Sequence, residues 1–179
     1  MTQAKIRIMP GRRAGLASYP AYTGPQASGA SFKQGAPVKL SSGNLAAVTG
    51  TASEGTSSGL TIVATASVAN LIGIADGLAV SSKTSDIVVT RITEGQGFIG
   101  NLIHGASAAS AVASKRGSTV YLAKVTGETN WGFAVDAAST FTGSGASVAH
   151  GKIIDFIDPA STANGRVLVE FTKGGGLFV

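Results

Sequence analysis

A chain of 179 residues holds one domain, or one domain plus an arm, and at this size folding buries about 70% of the unfolded surface. Only 13% of its residues are charged and none is cysteine. That excludes disulfide staples, thiolate metal sites and a cysteine nucleophile. It also leaves far less charge than the ~25% of an ordinary soluble domain, so much of the surface is expected to pack against other chains, where charge is depleted.

The opening, MTQAKIRIMPGRR, lacks the apolar core of a secretory signal. The sequence has no apolar run of the length, about 18 residues, that a spanning helix needs. Synthesis in a cytoplasm with no membrane partner is the expectation. Residues 1–34 read as an extended basic arm. Lys5, Arg7, Arg12, Arg13, Lys33 and Lys39 come before any acid, and the first acid is Glu54, so residues 1–53 carry +6 and the rest −1, giving the net +5. Such an arm meets something negative, and the body lacks the basic and aromatic interleaving of single-strand binders. An acidic protein surface is favoured over nucleic acid. The stretch RAGLASYPAYTGPQASGASF has neither helical nor strand periodicity, but Tyr19, Tyr22 and Phe32 give it apolar anchors for lying on a surface.

From residue 35 to 173 the chain reads as a body of short strands between turns. The strands are PVKL (37–40), LAAV (45–48), GLTIVA (59–64), LIGIA (71–75), DIVVTRI (86–92), GFIGNLI (97–103), STVYLAKV (118–125), WGFAVD (131–136), KIIDFID (152–158) and RVLVEFT (166–172). Each is rich in Val, Ile, Leu or aromatics and bounded by Gly, Ser, Thr or Asn. The last alternates cleanly, with Val167, Val169 and Phe171 on one face. Hairpin turns are expected at SSGN (41–44), TGETN (126–130) and STANG (161–165). The polar stretch 49–59 reads as a loop, and ASAASAVASK (106–115) is the one helix signal. Ten short strands at this spacing predict an all-β barrel or sandwich. Residues 174–179 read as a flexible tail, three glycines followed by Leu177, Phe178 and Val179.

Two motifs suggest chemistry and neither holds. Gly95, Gly97 and Gly100 have the G-x-G-x-x-G spacing of a dinucleotide turn. That turn needs a helix starting at the glycines, and here Phe98, Ile99, Leu102 and Ile103 continue a strand through them. Glycines at a bulge or a tight bend explain them better. GTSSG (55–59) matches a nucleophile elbow at Ser57, but no buried strand leads into it. His104 and His150 stand alone in turns, without a metal-ligand pattern. Asp155 and Asp158 fall on opposite faces of a strand, and Asp158, before Pro159, is suited to cap a turn. Trp131 reads as a core anchor at a strand start. No catalytic residue, cofactor or metal is expected.

Four phrases follow one another in order: GAPVKLSSGNLAAVTG, LIGIADGLAVSSKTSDIVVTRI, GSTVYLAKVTGETN and GKIIDFIDPASTANGRVLVEF. In this order, over roughly residues 35–172, the chain resembles the small all-β head-decoration (cement) proteins of tailed bacteriophages. The resemblance implies a compact β-barrel or β-tulip-like body of short antiparallel strands, often trimeric, clamped on the outer surface of the capsid. It implies the major capsid protein and further copies of this chain as partners, and a place on the virion. Within that frame Lys5, Arg7, Arg12, Arg13, Tyr19 and Tyr22 would anchor the arm on the capsid. Leu177, Phe178 and Val179 would reach a neighbouring subunit. The long basic arm, with its glycines and prolines, departs from the family pattern. The alternative is a tail, fibre or adhesin module that binds a receptor or glycan. Such modules share the composition, although no repeat of fixed period is found.

Overall fold

The computed structural model describes residues 8–11, 20–52, 59–63, 70–93, 95–103, 116–135, 151–159 and 162–171. In chain order the strands are β1 (Met9–Pro10), β2 (Ala21–Pro25), β3 (Pro37–Ser41), β4 (Asn44–Ala47), β5 (Gly50–Ala52), β6 (Leu60–Val63) and β7 (Leu71–Ala75). They continue as β8 (Asp86–Arg91), β9 (Gly97–Asn101), β10 (Thr119–Val125), β11 (Trp131–Val135), β12 (Gly151–Phe156) and β13 (Arg166–Phe171). No helix occurs among the described residues. The protein is all-β, and all ten strands expected from the sequence are present.

Two antiparallel sheets share these strands. The first runs β1-β9-β13-β12-β10-β6-β5, with β11 beside β10, and the second runs β2-β8-β7-β3-β4. In each sheet one further bridge links two strands that are not ladder neighbours. Just past β9, Leu102 bridges in parallel to Phe133 of β11, and the Ile103 N–H donates to the Phe133 carbonyl at 2.9 Å. The pairing of β9, β13, β12, β10 and β11 thus returns to β9. Just past β2, Gln26 bridges in parallel to Leu45 of β4, and the Ala27 N–H donates to the Leu45 carbonyl at 2.8 Å. The pairing of β2, β8, β7, β3 and β4 returns to β2 in the same way. Each ring contains one register shift, between Ile153 and Asp155 in the first and between Val38 and Lys39 in the second. Such a shift bends a strand and increases its twist.

Both rings contribute to one contiguous core. Phe98, Leu122, Phe133 and Phe171 come from the first ring, and Val38, Leu45, Ile74 and Val89 from the second. The alternation read in β13 is the real one, with Val167, Val169 and Phe171 buried and Arg166 exposed. β10 is apolar without alternation because both its faces are covered. Val120 and Leu122 join the main core, while Tyr121 and Ala123 join Leu60, Ile62, Ile103 and Ala134 in a smaller cluster.

Three strands differ from the sequence expectation. β5 falls in the stretch read as a loop, and it pairs with β6 from Gly50↔Val63 to Ala52↔Thr61. Backbone pairing needs no apolar pattern, and Gly-Thr-Ala offers none to read. β1 and β2 fall in the segment read as an arm, and they pair with β9 and β8 respectively. The described parts of that segment are therefore built into both sheets, with Ile8 in the core and Tyr22 packed against it. The expected helix at 106–115 and the tail at 174–179 lie outside the described residues.

The G-x-G-x-x-G glycines are resolved by packing. Gly97 and Gly100 lie within β9. A Cβ on Gly100 would sit 2.6 Å from Cε2 of Phe133, so the glycine makes room for that ring rather than for a phosphate. The SSGN hairpin turns through Ser42 and Gly43, with φ of 49° and 80°. Two left-handed residues in succession match the twist of paired strands.

Candidate functional site

The cleft with the most distinctive lining lies where the two sheets meet. Its volume is about 220 Å³. From the second sheet come Phe32, Pro37 and Val48, with Leu78 on the rim. From the first come Lys124, Thr129 and Trp131. Trp131 and Lys124 face each other as cross-strand partners at the β10–β11 hairpin, and the Lys124 ammonium stands 5.6 Å from the Trp131 ring centre. That is within range of a cation–π attraction.

Backbone ladders hold the second-sheet wall in place. Phe32 and Ala79 exchange N–H···O bonds of 3.3 and 2.9 Å, and the Gly35 N–H donates to the Ala75 carbonyl at 2.8 Å. The 80–83 loop behind Leu78 is clamped by one buried side chain. Gln26 Nε2 donates to the Val80 carbonyl at 2.7 Å and also to the Lys83 carbonyl. The loop is therefore tied down, yet Leu78 remains 59% exposed.

The charges that the described residues bring to the cleft have one sign. Among the described residues, Lys33 and Lys124 line it, and no Asp or Glu does. Lys33 makes no ion pair among the described residues. The cleft is smaller than the ~300 Å³ at which small-molecule pockets begin. It suits one large apolar side chain with a negative group beside it.

A second cavity, of about 300 Å³, lies between β1 and the other sheet and is lined by Ile8, Met9, Pro10, Gln34, Ala75 and Asp76. The carboxylate of Asp76 accepts a 2.7 Å hydrogen bond from the Thr90 hydroxyl. No group of three or more His, Asp or Glu able to hold a metal occurs among the described residues.

Of the residues singled out in the sequence, Tyr22 is half-buried on β2 and packs against the protein's own core. Lys5, Arg7, Arg12, Arg13, Tyr19, Leu177, Phe178 and Val179 lie outside the described residues, as do Ser57, His104 and His150. Asp155 and Asp158 have separate partners. Asp155 pairs with Arg116 at 2.7 Å on the surface. Asp158 accepts the Arg166 backbone N–H at 2.8 Å and its guanidinium at 2.7 Å, which closes the β12–β13 hairpin. The Arg166 side-chain and backbone hydrogen bonds hold the Asp158 carboxyl below its usual range.

Trp131 is the core anchor expected, but it also forms a cleft wall, which sequence reasoning missed. The available signal was the TGETN hairpin, which brings the end of β10 opposite Trp131. Nothing local shows that Phe32 and Leu78 arrive there from the other sheet. Compared with protein-family models, curated proteins and solved structures, the chain finds no match.

Proposed function

We propose that the protein is a structural decoration module that binds the outside of a bacteriophage head and reinforces the shell. The observation that carries this reading is a charge-poor β body exposing apolar side chains. Leu78, Val88 and Ile157 are 59%, 45% and 43% exposed on a chain with 13% charged residues. A surface of that kind favours burial against a protein partner. The phrases behind the family resemblance support it. They fall on the β3–β4 hairpin, on β7 and β8, on β10 with its turn, and on the β12–β13 hairpin.

The partners in this reading are the major capsid protein and further copies of the chain, a trimer being the favoured oligomer. The basic residues of the first segment supply the charge for an acidic capsid surface, and the role is mechanical rather than catalytic. Cryo-EM of the native particle tests it. Density of this fold repeated over the head surface is the expected result. Density only at the tail would replace this reading with that of a fibre or adhesin module.

A further inference from the structure

The cleft between the sheets pairs apolar walls with positive charge twice over. Lys33 follows Phe32 in the chain, and Lys124 lies across from Trp131 with its ammonium over the indole. Both aromatic walls are held firmly, each 6% exposed. Leu78 extends the apolar surface outward at the rim. A volume of about 220 Å³ accepts one Leu- or Phe-sized side chain and little more. Binding interfaces concentrate their energy in such anchors, an apolar side chain in a pocket ringed by polar contacts.

We infer that this cleft is a docking site for an extended protein segment that inserts one apolar side chain and flanks it with acidic residues. The apolar group packs between Phe32 and Trp131 and against Leu78. The acids meet Lys33 and Lys124, to which no carboxylate of the described residues answers within the cleft. A basic segment is rejected, because two ammonium groups line a cleft without a compensating charge among the described residues. The inference rests on the proposed docking role for its assumption that the partner is a protein. It adds the chemistry of that partner and the site that reads it.

Trp131 is the chain's one tryptophan, so its emission reports occupancy of the cleft in the full chain without a label. The probes are three capped peptides: a leucine flanked by glutamates, the same leucine flanked by lysines, and a serine flanked by glutamates. The first should shift Trp131 emission saturably, and the other two should bind at least about tenfold more weakly. Its advantage over the lysine peptide should shrink from 0.1 to 1 M salt, as the screening length falls from about 10 to about 3 Å. Replacing both lysines (Lys33→Glu with Lys124→Glu) should reverse the charge preference. Leu78→Asp, at an exposed rim position, should weaken binding without altering the melting temperature. No saturable response, or equal response to the acidic and basic peptides, overturns the inference. So does a concentration-dependent dimer that Leu78→Asp abolishes in the absence of any peptide preference, since the occupant is then a second copy. Binding of the full chain to shells stripped of decoration is scored separately. Shell binding with an indifferent cleft ends this inference alone, and a selective cleft without shell binding ends the shell reading alone.

Discussion

The two rings reach the same topology with different materials. The first is filled by three phenylalanines from three strands. Phe98 and Phe171 meet edge-to-face with centroids 5.2 Å apart, and Phe133 lies 6.2 Å from Phe171. The second is filled by Val38, Leu45, Ile74 and Val89, one aliphatic from each of four strands. Their closures differ too. In the first, the strand that closes the ring carries Gly100, which leaves space for the Phe133 ring. In the second, the closing residue is Gln26, whose side chain ties down a neighbouring loop. One ring is thus accompanied by a missing side chain and the other by a polar clamp. The two choices should fail differently.

The largest effect should come from the aromatic ring. Phe171→Ala removes the residue that touches both other phenylalanines, and a loss of about 3–5 kcal/mol is expected from urea denaturation. Ile74→Ala in the aliphatic ring should cost about 2–5 kcal/mol. Because one cluster joins both rings, each variant should still unfold in a single transition. Two separated transitions in either variant would show that the rings are independent units.

Gly100→Val tests closure by omission. The added Cβ meets the Phe133 ring at 2.6 Å, and overpacking of this kind costs about 1–3 kcal/mol. A companion change, Phe133→Leu, should recover part of that loss by vacating the space. Failure of the pair to recover stability would mean that Gly100 is needed for backbone reasons rather than for the ring.

Gln26→Leu tests closure by clamp. The Val80 and Lys83 carbonyls lose their donor, but both residues are exposed, so water can replace it. The global cost should be only about 1 kcal/mol, at the low end for a lost buried partner. The clearer readout is local, since amide exchange around residues 79–83 should accelerate more than at β7 or β8. Uniform acceleration would show that the clamp serves the whole sheet.

The same contrast explains what the sequence made legible. Strands such as β8 and β13 announce themselves because alternate residues must enter a core, and all ten apolar runs fold as strands. β2, with the sequence AYTGP, does not. Its five pairs with β8 are made by backbone groups, and its buried inward position is a glycine. Both ring closures consist of single parallel bridges between residues 19 and 31 positions apart, which no local pattern encodes. The cleft was hidden for the same reason. Phe32 and Lys33 read as part of an arm, Leu78 falls between two expected strands, and Trp131 reads as core. Only the meeting of two sheets turns them into one surface.

The smallest effect lies at the β12–β13 hairpin, outside both closures. Asp158 holds the Arg166 backbone and guanidinium together, and those hydrogen bonds lower its carboxyl pKa in the fold. A carboxyl lowered on folding contributes stability that is fully present above its unfolded value of about 3.9. That contribution is lost as pH falls through the folded value. Arg166 stays charged throughout this range, so Asp158 alone sets the window. The pair is solvent-exposed at Arg166, with 46% of its side chain accessible, so its worth should be only about 0.2–1 kcal/mol. Asp158→Asn keeps one acceptor for the backbone N–H and removes the charge together with one acceptor for the guanidinium. At pH 7 it should melt slightly below the native chain. The gap should narrow once the pH drops below about 4 and close when the native carboxyl is protonated. It should also shrink in 1 M salt, where screening shortens to about 3 Å. A gap that persists unchanged in acid would assign the role of Asp158 to the shape of the turn rather than to its charge.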